Sequence, residues 1–273
     1  MRKILRSLRA TEKSVMKKIL VLLCLLSLLF VSLGTEGSAV GGALGFYIPR
    51  AGKKRPELPK EEAIIEKHGG YYIDRRVTDE SERRVLYLTF DAGYDNGNVG
   101  KVLDALAAEK VSAAFFVLDH LILENTDLVC RMQKEGHLVC NHTKNHKDMT
   151  KCQKEEMRKN LTDLEKLCEE KTGVPLSKYF RFPEGRFSEE TLCTAEELGY
   201  KTIFWSFAYA DWDNERQPDP ERAKRKILEN THNGAVILLH PTSATNARIL
   251  PDLLREWKAM GYSFGTLDEL TAE

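Results

Sequence analysis

The run His142-Thr143-Lys144-Asn145-His146 places two imidazoles four residues apart. On one turn of helix that spacing sets both rings on the same face, where they can grip a single divalent cation. Two solvent-facing histidines on a polar turn would share the spacing, so position carries the weight: the pair directly follows a strand-like run, His137 to Cys140. Asp91, within Thr89-Phe90-Asp91-Ala92-Gly93, also follows an apolar run and has small residues behind it. A carboxylate there can face a cleft and act as a general base that activates water. A turn or capping aspartate is the alternative. Arg181 opens the run Arg181-Phe182-Pro183-Glu184-Gly185. Its guanidinium can hold a neighbouring Asp91 ionised and oriented, or else pair with Glu184 at the surface. Asp211 could in turn position Arg181, and Trp212 beside it could form an apolar wall. Asp213 reads as a less specific, solvent-facing neighbour. His240 leaves the apolar run Val236 to Leu239. That is a place for a general acid that protonates a leaving amine, or for a satisfied core histidine.

These side chains can cooperate only if the chain brings its strand ends together. From Arg84 onward strand-like and helix-like patterns alternate. Strands are expected at Val85 to Phe90, Val111 to Leu118, His137 to Cys140, Tyr179 to Phe182, Lys201 to Ser206, Ala235 to Leu239 and Ser263 to Leu267. Between them, helical spacing marks a stripe from Val99 to Leu106, the stretch Leu128 to Glu135, and a second stripe from Met157 to Cys168. It recurs from Glu189 to Glu197, from Pro220 to Asn230 and, last, from about Pro251 to Met260. Such alternation implies an α/β fold with a largely parallel sheet and covering helices, and it fits an α/β barrel. In barrels the chemistry collects at the carboxyl ends of strands. Asp91, His142, His146, Arg181, Asp211, Trp212 and His240 all fall at or just past such ends.

A chain of 273 residues suits one catalytic domain plus a short extension. Its 41 basic and 41 acidic side chains cancel, which argues against nucleic acid as a partner. Lys17 and Lys18 precede an apolar run from Ile19 to Leu33, followed by Gly34, Gly37, Ser38 and Ala39. A positive flank, a short apolar core and a small-residue exit read as a secretory signal, or as an uncleaved anchor, with Met16 as a possible start. An exported protein that meets the membrane only through residues 1–34 is therefore expected. Residues 35–83 read as a tether and extension, and 84–268 as the catalytic domain. Beyond Cys24 the cysteines number five, with no C-x-x-C pair, and read as small buried apolar residues rather than a disulfide framework.

Taken together, five runs resemble the polysaccharide deacetylase family, also called NodB-homology or carbohydrate esterase 4, in the family's order. They are Thr89 to Gly93, His142 to His146, Arg181 to Gly185, Asp211-Trp212 and Leu238-Leu239-His240. The resemblance covers roughly residues 84 to 268. It implies a single distorted (β/α) barrel, a divalent metal (often zinc) and hydrolysis of N-acetyl groups on sugars. By the same resemblance Asp91 is the general base, His142 and His146 are metal ligands, and His240 is the general acid. Arg181 with Asp211 is the pair that tunes Asp91. Trp212 and Leu238 wall the acetyl pocket, and Phe182 and Pro183 are expected to contribute to substrate binding. The family usually carries a second Asp after the base as a third metal ligand, and here that position is Ala92. Asp95 lies close enough in sequence to be considered as its replacement. The stretch Thr89 to Asn98 is similar to the deacetylases that lead to muramic δ-lactam in spore cortex. The resemblance thus implies peptidoglycan glycan strands as partner and N-acetylmuramic acid as substrate.

Two other substrates, N-acetylglucosamine in peptidoglycan and a chitin-like oligomer, would suit the same residues. Ala92 leaves open a catalytically weakened homologue that only binds cell wall. A glycosidase using Asp211 and Asp213 as its carboxylate pair is disfavoured, because such near neighbours would not flank a glycosidic bond.

Overall fold

Eight consecutive buried residues, Val85–Ala92, form the central strand of the molecule. A strand buried on both faces needs sheet partners at both edges and cover above and below, and its sequence is accordingly apolar almost throughout. The computed structural model describes residues 42–272 and supplies those partners. In chain order the strands are β1 (Leu44–Gly45), β2 (Val85–Ala92), β3 (Ala114–Val117), β4 (Leu138–Asn141), β5 (Ser177–Phe180), β6 (Arg186–Phe187), β7 (Lys201–Thr202), β8 (Ala235–Leu239) and β9 (Ser263–Phe264). One parallel sheet runs β7-β5-β4-β3-β2-β8, with β9 beside the start of β2. The main covering helices are α1 (Val99–Glu109), α2 (Thr126–Lys134), α3 (Lys154–Thr172), α4 (Glu189–Glu197), α5 (Pro220–Glu229) and α6 (Ala244–Ala259).

The sheet curls, and its two outer strands are joined by an irregular segment. Ile203 bonds back to Phe180 of β5, and three residues later Ser206 and Phe207 bond to Val236 of β8. The expected distorted α/β barrel is therefore a half-barrel closed by residues 203–207. This crossing is why the strand expected at 201–206 is regular only over its first two residues.

Alternation along the strands decides what faces the interior. Leu86, Leu88 and Phe90 of β2 join Phe115, Val139, Ile237 and Leu239 in the cluster beneath the helices. Val85 and Tyr87, with Phe116, Cys140, Tyr179 and Val236, fill the inside of the barrel. Extending that inner set in steps of two along each strand gives Thr89 and Asp91 from β2, His142 from β4, Arg181 from β5 and Leu238 with His240 from β8.

Two expectations are corrected. Residues 42–83, read as a tether and extension, are packed onto the domain. Phe46, Ile65, Tyr72 and Ile73 are buried in a cluster with Phe180, Phe182 and Phe204, and β1 pairs antiparallel with β6. The last helix does not start at Pro251. It starts at Ala244, where the Ser243 side chain accepts from Asn246 N–H, and Pro251 lies inside it. The continuous buried stripe Leu250, Leu253, Leu254 and Trp257 holds this helix across the bond that Pro251 lacks. The apolar run from Ile19 to Leu33 lies outside the described residues. Cys140 and Cys168 are buried as expected, and all five cysteines of the described residues are free.

His232 fixes the crossing segment. It is buried, with Nδ1 2.9 Å from the Asn230 carbonyl and Nε2 2.8 Å from Ser206 Oγ. A carbonyl only accepts, so Nδ1 carries the proton and Nε2 accepts from the Ser206 hydroxyl. Burial lowers the pKa of His232 to about 4. The folded state therefore resists a proton that the unfolded chain takes up from about pH 6.5 downward. Stability should fall between pH 6.5 and 4, with His232 alone contributing roughly 3 kcal/mol to the loss. Urea midpoints against pH check this, and His232→Gln should flatten the acid limb.

Candidate active site

Arg181 is the structural centre of the pocket wall. It is fully buried, and the structure satisfies its guanidinium almost completely. Nε donates to Ile203 O at 2.9 Å, Nη2 to Thr89 Oγ1 at 2.9 Å and to Phe204 O at 3.1 Å, and Nη1 to Asp91 Oδ1 at 2.8 Å. Its Cζ lies over the Phe116 ring, 4.2 Å from the centroid. Such a guanidinium cannot rotate away, so it fixes the Asp91 carboxylate as well as its charge. Burial alone would raise the Asp91 pKa, but the charge and hydrogen bond of Arg181, with His240 across the cleft, outweigh it and hold the carboxyl below its ordinary value. Asp91 is thus ionised and oriented at neutral pH.

The opposite wall is a His–Asp pair. His240 Nδ1 lies 2.8 Å from Asp211 Oδ1, and its backbone N–H donates to Asp211 Oδ2 at 2.9 Å. Asn246, buried at the start of α6, donates to the same Oδ2 at 2.5 Å and to the His240 carbonyl at 3.1 Å. Tyr209 donates its hydroxyl proton to Asn246 in turn. Burial would lower the His240 pKa, but the hydrogen bond and charge of Asp211, with Asp91 behind them, prevail and raise it. This corrects one expectation: Asp211 does not touch Arg181. The crossing segment supplies Arg181 with backbone carbonyls instead, and the chain beyond it carries Asp211 to β8.

His142 and His146 complete the third side. His142 Nδ1 is 2.9 Å from Arg181 O, so Nδ1 donates and the Nε2 lone pair faces the pocket, 3.5 Å from Asp91 Oδ2. Burial lowers the His142 pKa to about 4, which keeps that lone pair free. The ring centroids of His142 and His146 are 5.0 Å apart. Their approach is not helical, as the spacing suggested. Thr143 and His146 have φ of 71° and 56°, and this left-handed turn folds the second ring back toward the first.

A cleft of about 660 Å³ joins these groups, and Asp91, His142, His146, Trp212, Leu238 and His240 all line it. Trp212 stands 60% exposed at the mouth, its ring 6.0 Å from that of His240. Leu238 is buried in the wall. Phe182 and Pro183 do not reach the cleft. Strand alternation turns Phe182 away from Arg181 into the aromatic cluster outside the barrel, and Pro183 is buried beside it. Lining residues that the sequence did not single out are Tyr94, Leu118, Glu184, Trp205 and Tyr209. Thr89, two residues before Asp91 on the inner face, was legible by parity alone. Asn246 lies ahead of the helix expected from Pro251, so its place in the first turn of α6 was not legible.

The donors that face the cleft fit a divalent cation through two imidazoles, with His142 held by the Arg181 carbonyl behind it. Among the described residues no third His, Cys, Asp or Glu joins them as a ligand cage. Ala92 is buried in the outer apolar cluster. Asp95 is not a replacement, because its Oδ1 accepts from Val99 N–H at 3.0 Å at the start of α1 and it lines no part of the cleft.

A half-barrel whose strand ends hold a carboxylate–arginine pair, a His–Asp pair and two imidazoles defines a class of amide-hydrolysing site. A model of the family described as polysaccharide deacetylase matches residues 78–203. The peptidoglycan-N-acetylmuramic acid deacetylase PdaA of Bacillus subtilis (strain 168) is 35% identical over 219 residues, 80% of this chain and 81% of that protein. The solved structure of Bacillus subtilis PdaA, a family 4 carbohydrate esterase, superposes with a TM-score of 0.78 at 33% identity, covering 84% of this chain and 96% of that one. A peptidoglycan-N-acetylglucosamine deacetylase of Bacillus cereus is 34% identical over 70% of this chain and 89% of its own. The chain belongs to the polysaccharide deacetylase family, whose members are hydrolases acting on N-acetyl groups.

Proposed function

We propose that this protein is an exported, metal-dependent deacetylase that removes the acetyl group from N-acetylmuramic acid in peptidoglycan, on a route to muramic δ-lactam. The observation that carries the reading is the opposition of two differently tuned groups across one cleft. Arg181 holds the Asp91 carboxyl below its ordinary pKa, and Asp211 raises that of His240. Pairs whose surroundings push their pKa values apart mark base and acid. The similarity to PdaA supports the muramic sugar. N-acetylglucosamine is the second candidate, supported by the Bacillus cereus relative.

In this reading Asp91 Oδ2, the oxygen not held by Arg181, takes a proton from the attacking water. His142 and His146 would hold a divalent cation, which would supply Lewis-acid stabilisation to the acetyl oxygen. His240 Nε2 gives its proton to the sugar nitrogen as acetate leaves, while Asp211 steadies the imidazole from behind. Leu238 and Trp212 exclude water from the acetyl group and hold the sugar.

Purified protein incubated with defined muropeptides should release acetate, lose that activity with a chelator and regain it with zinc. Mass spectrometry of the digest should show the acetyl lost from the muramic residue. Loss from glucosamine instead would move the substrate to the second candidate, and no acetate release with zinc present would end the deacetylase reading.

A further inference from the structure

Trp205 lines the cleft 5.8 Å from the Arg181 guanidinium, yet nothing in its own strand holds it, because residues 203–207 are the irregular crossing between β5 and β8. What braces it comes from the far N-terminal side. The Phe46 ring meets Trp205 edge-on at 5.1 Å and Phe204 at 4.6 Å. The backbone of the same segment grips the other half of this wall. Leu44 and Gly45 pair with Phe187 and Arg186, and Phe46 N–H donates to Gly185 O at 2.9 Å. That turn includes Glu184, which lines the cleft in a left-handed conformation with φ of 55°. Gly185 follows at φ of 65°, packed so closely that a Cβ there would come within 2.9 Å of Trp205 and 3.0 Å of Phe46. Further along, Arg50 donates to the carbonyl of Ala208, another lining residue, at 3.4 Å. Tyr47 N–H is anchored on the buried Glu62 carboxylate at 2.8 Å.

Three lining positions, Glu184 on one segment and Trp205 and Ala208 on another, are thus supported by one seven-residue strap, 44–50, that belongs to no part of the parallel sheet. We propose that this strap is a working part of the substrate-binding wall, and that Phe46 is the positioning residue that sets Trp205 against the bound glycan. Phe46 touches no substrate and acts through Trp205. The proposal rests on the deacetylase reading for its enzymatic readout, but not for its structural one.

The test uses the full chain with Phe46→Ala and Phe46→Leu. Leu keeps most of the buried apolar volume but loses the ring edge that meets Trp205, so it stays informative if the alanine variant fails to fold. KM for an N-acetylated glycan oligomer should rise about tenfold in the alanine variant and by a smaller factor in the leucine variant, with kcat changed by less than about twofold, the signature of lost binding rather than lost chemistry. Amide hydrogen exchange should quicken at 184–187 and 203–206 while the β2 and β8 amides keep their protection. A merely structural Phe46 would lower the melting temperature and leave KM unchanged, and that result overturns the proposal. If the wild-type protein releases no acetate, the functional reading fails separately. Calorimetric affinity for the same oligomer then replaces KM, and unchanged exchange at 184–187 and 203–206 overturns the strap by itself.

Discussion

Asp91→Asn should lower kcat for acetate release by about 10²–10⁴-fold while KM changes little. Asparagine preserves the size of the side chain and can still accept from Arg181 Nη1, which bonds Oδ1 in the wild type at 2.8 Å. What it cannot do is take a proton from water. The substitution also leaves a fully buried arginine without its counter-charge. Removing one partner of a buried pair costs about 3–5 kcal/mol when nothing else compensates. Here Ile203 O, Phe204 O and Thr89 Oγ1 keep the remaining guanidinium N–H groups bonded, so the loss should fall at or below the lower end. Assays belong at a temperature where circular dichroism shows the variant folded. Full turnover by folded Asp91→Asn would remove Asp91 from the role of base.

The inner face of the barrel was legible because strand alternation obeys a rule of two. Reading Tyr87, Thr89, Asp91 along β2 and Val236, Leu238, His240 along β8 needs only the sequence and the knowledge that both are strands. The same rule, applied one step further, would have removed Phe182 from the substrate list, since it stands beside Arg181 and must face the other way. The helices that cover the sheet were legible where their apolar stripes were long, as from Met157 to Cys168.

Three things were not legible, each for a physical reason. The partner of Asp211 depends on where an irregular chain crosses from β5 to β8, and no periodicity encodes a crossing. The approach of His146 to His142 depends on two residues in left-handed conformations, which neither threonine nor histidine announces. The strap at 44–50 looks like a tether because it lies in a stretch, 35–60, punctuated by glycines, prolines and lysines, while its contact with the Trp205 ring comes from Phe46. Isolated aromatic anchors in glycine-rich segments carry no pattern, so their packing is set by what they meet in space.

Asp211→Asn should displace the alkaline limb of the rate profile toward acid by about a pH unit or more, and lower the neutral-pH rate by about 10²–10⁴-fold. The sign follows from the hydrogen bonds around the carboxylate. In the wild type, Asp211 Oδ1 accepts from His240 Nδ1, and this contact raises the His240 pKa, so the general acid stays protonated to higher pH. Oδ2 is already occupied by two donors, the His240 N–H at 2.9 Å and the Asn246 amide at 2.5 Å. An asparagine at 211 must therefore keep its carbonyl oxygen at the Oδ2 position and turn its NH₂ toward His240 Nδ1. That amide now donates where a carboxylate accepted. It favours the neutral tautomer with the proton on Nε2 and opposes the imidazolium, so burial acts on His240 with only the Asp91 charge left to oppose it, and the pKa drops. Above the lowered pKa, only a neutral imidazole faces the leaving nitrogen, and neutral imidazole is a poor acid. Lowering the pH should restore part of the rate, which separates this effect from collapse of the site. Profiles of kcat/KM against pH for the two proteins decide the matter. A reduced rate with an unmoved alkaline limb would assign that limb to another group and take the general-acid role from His240.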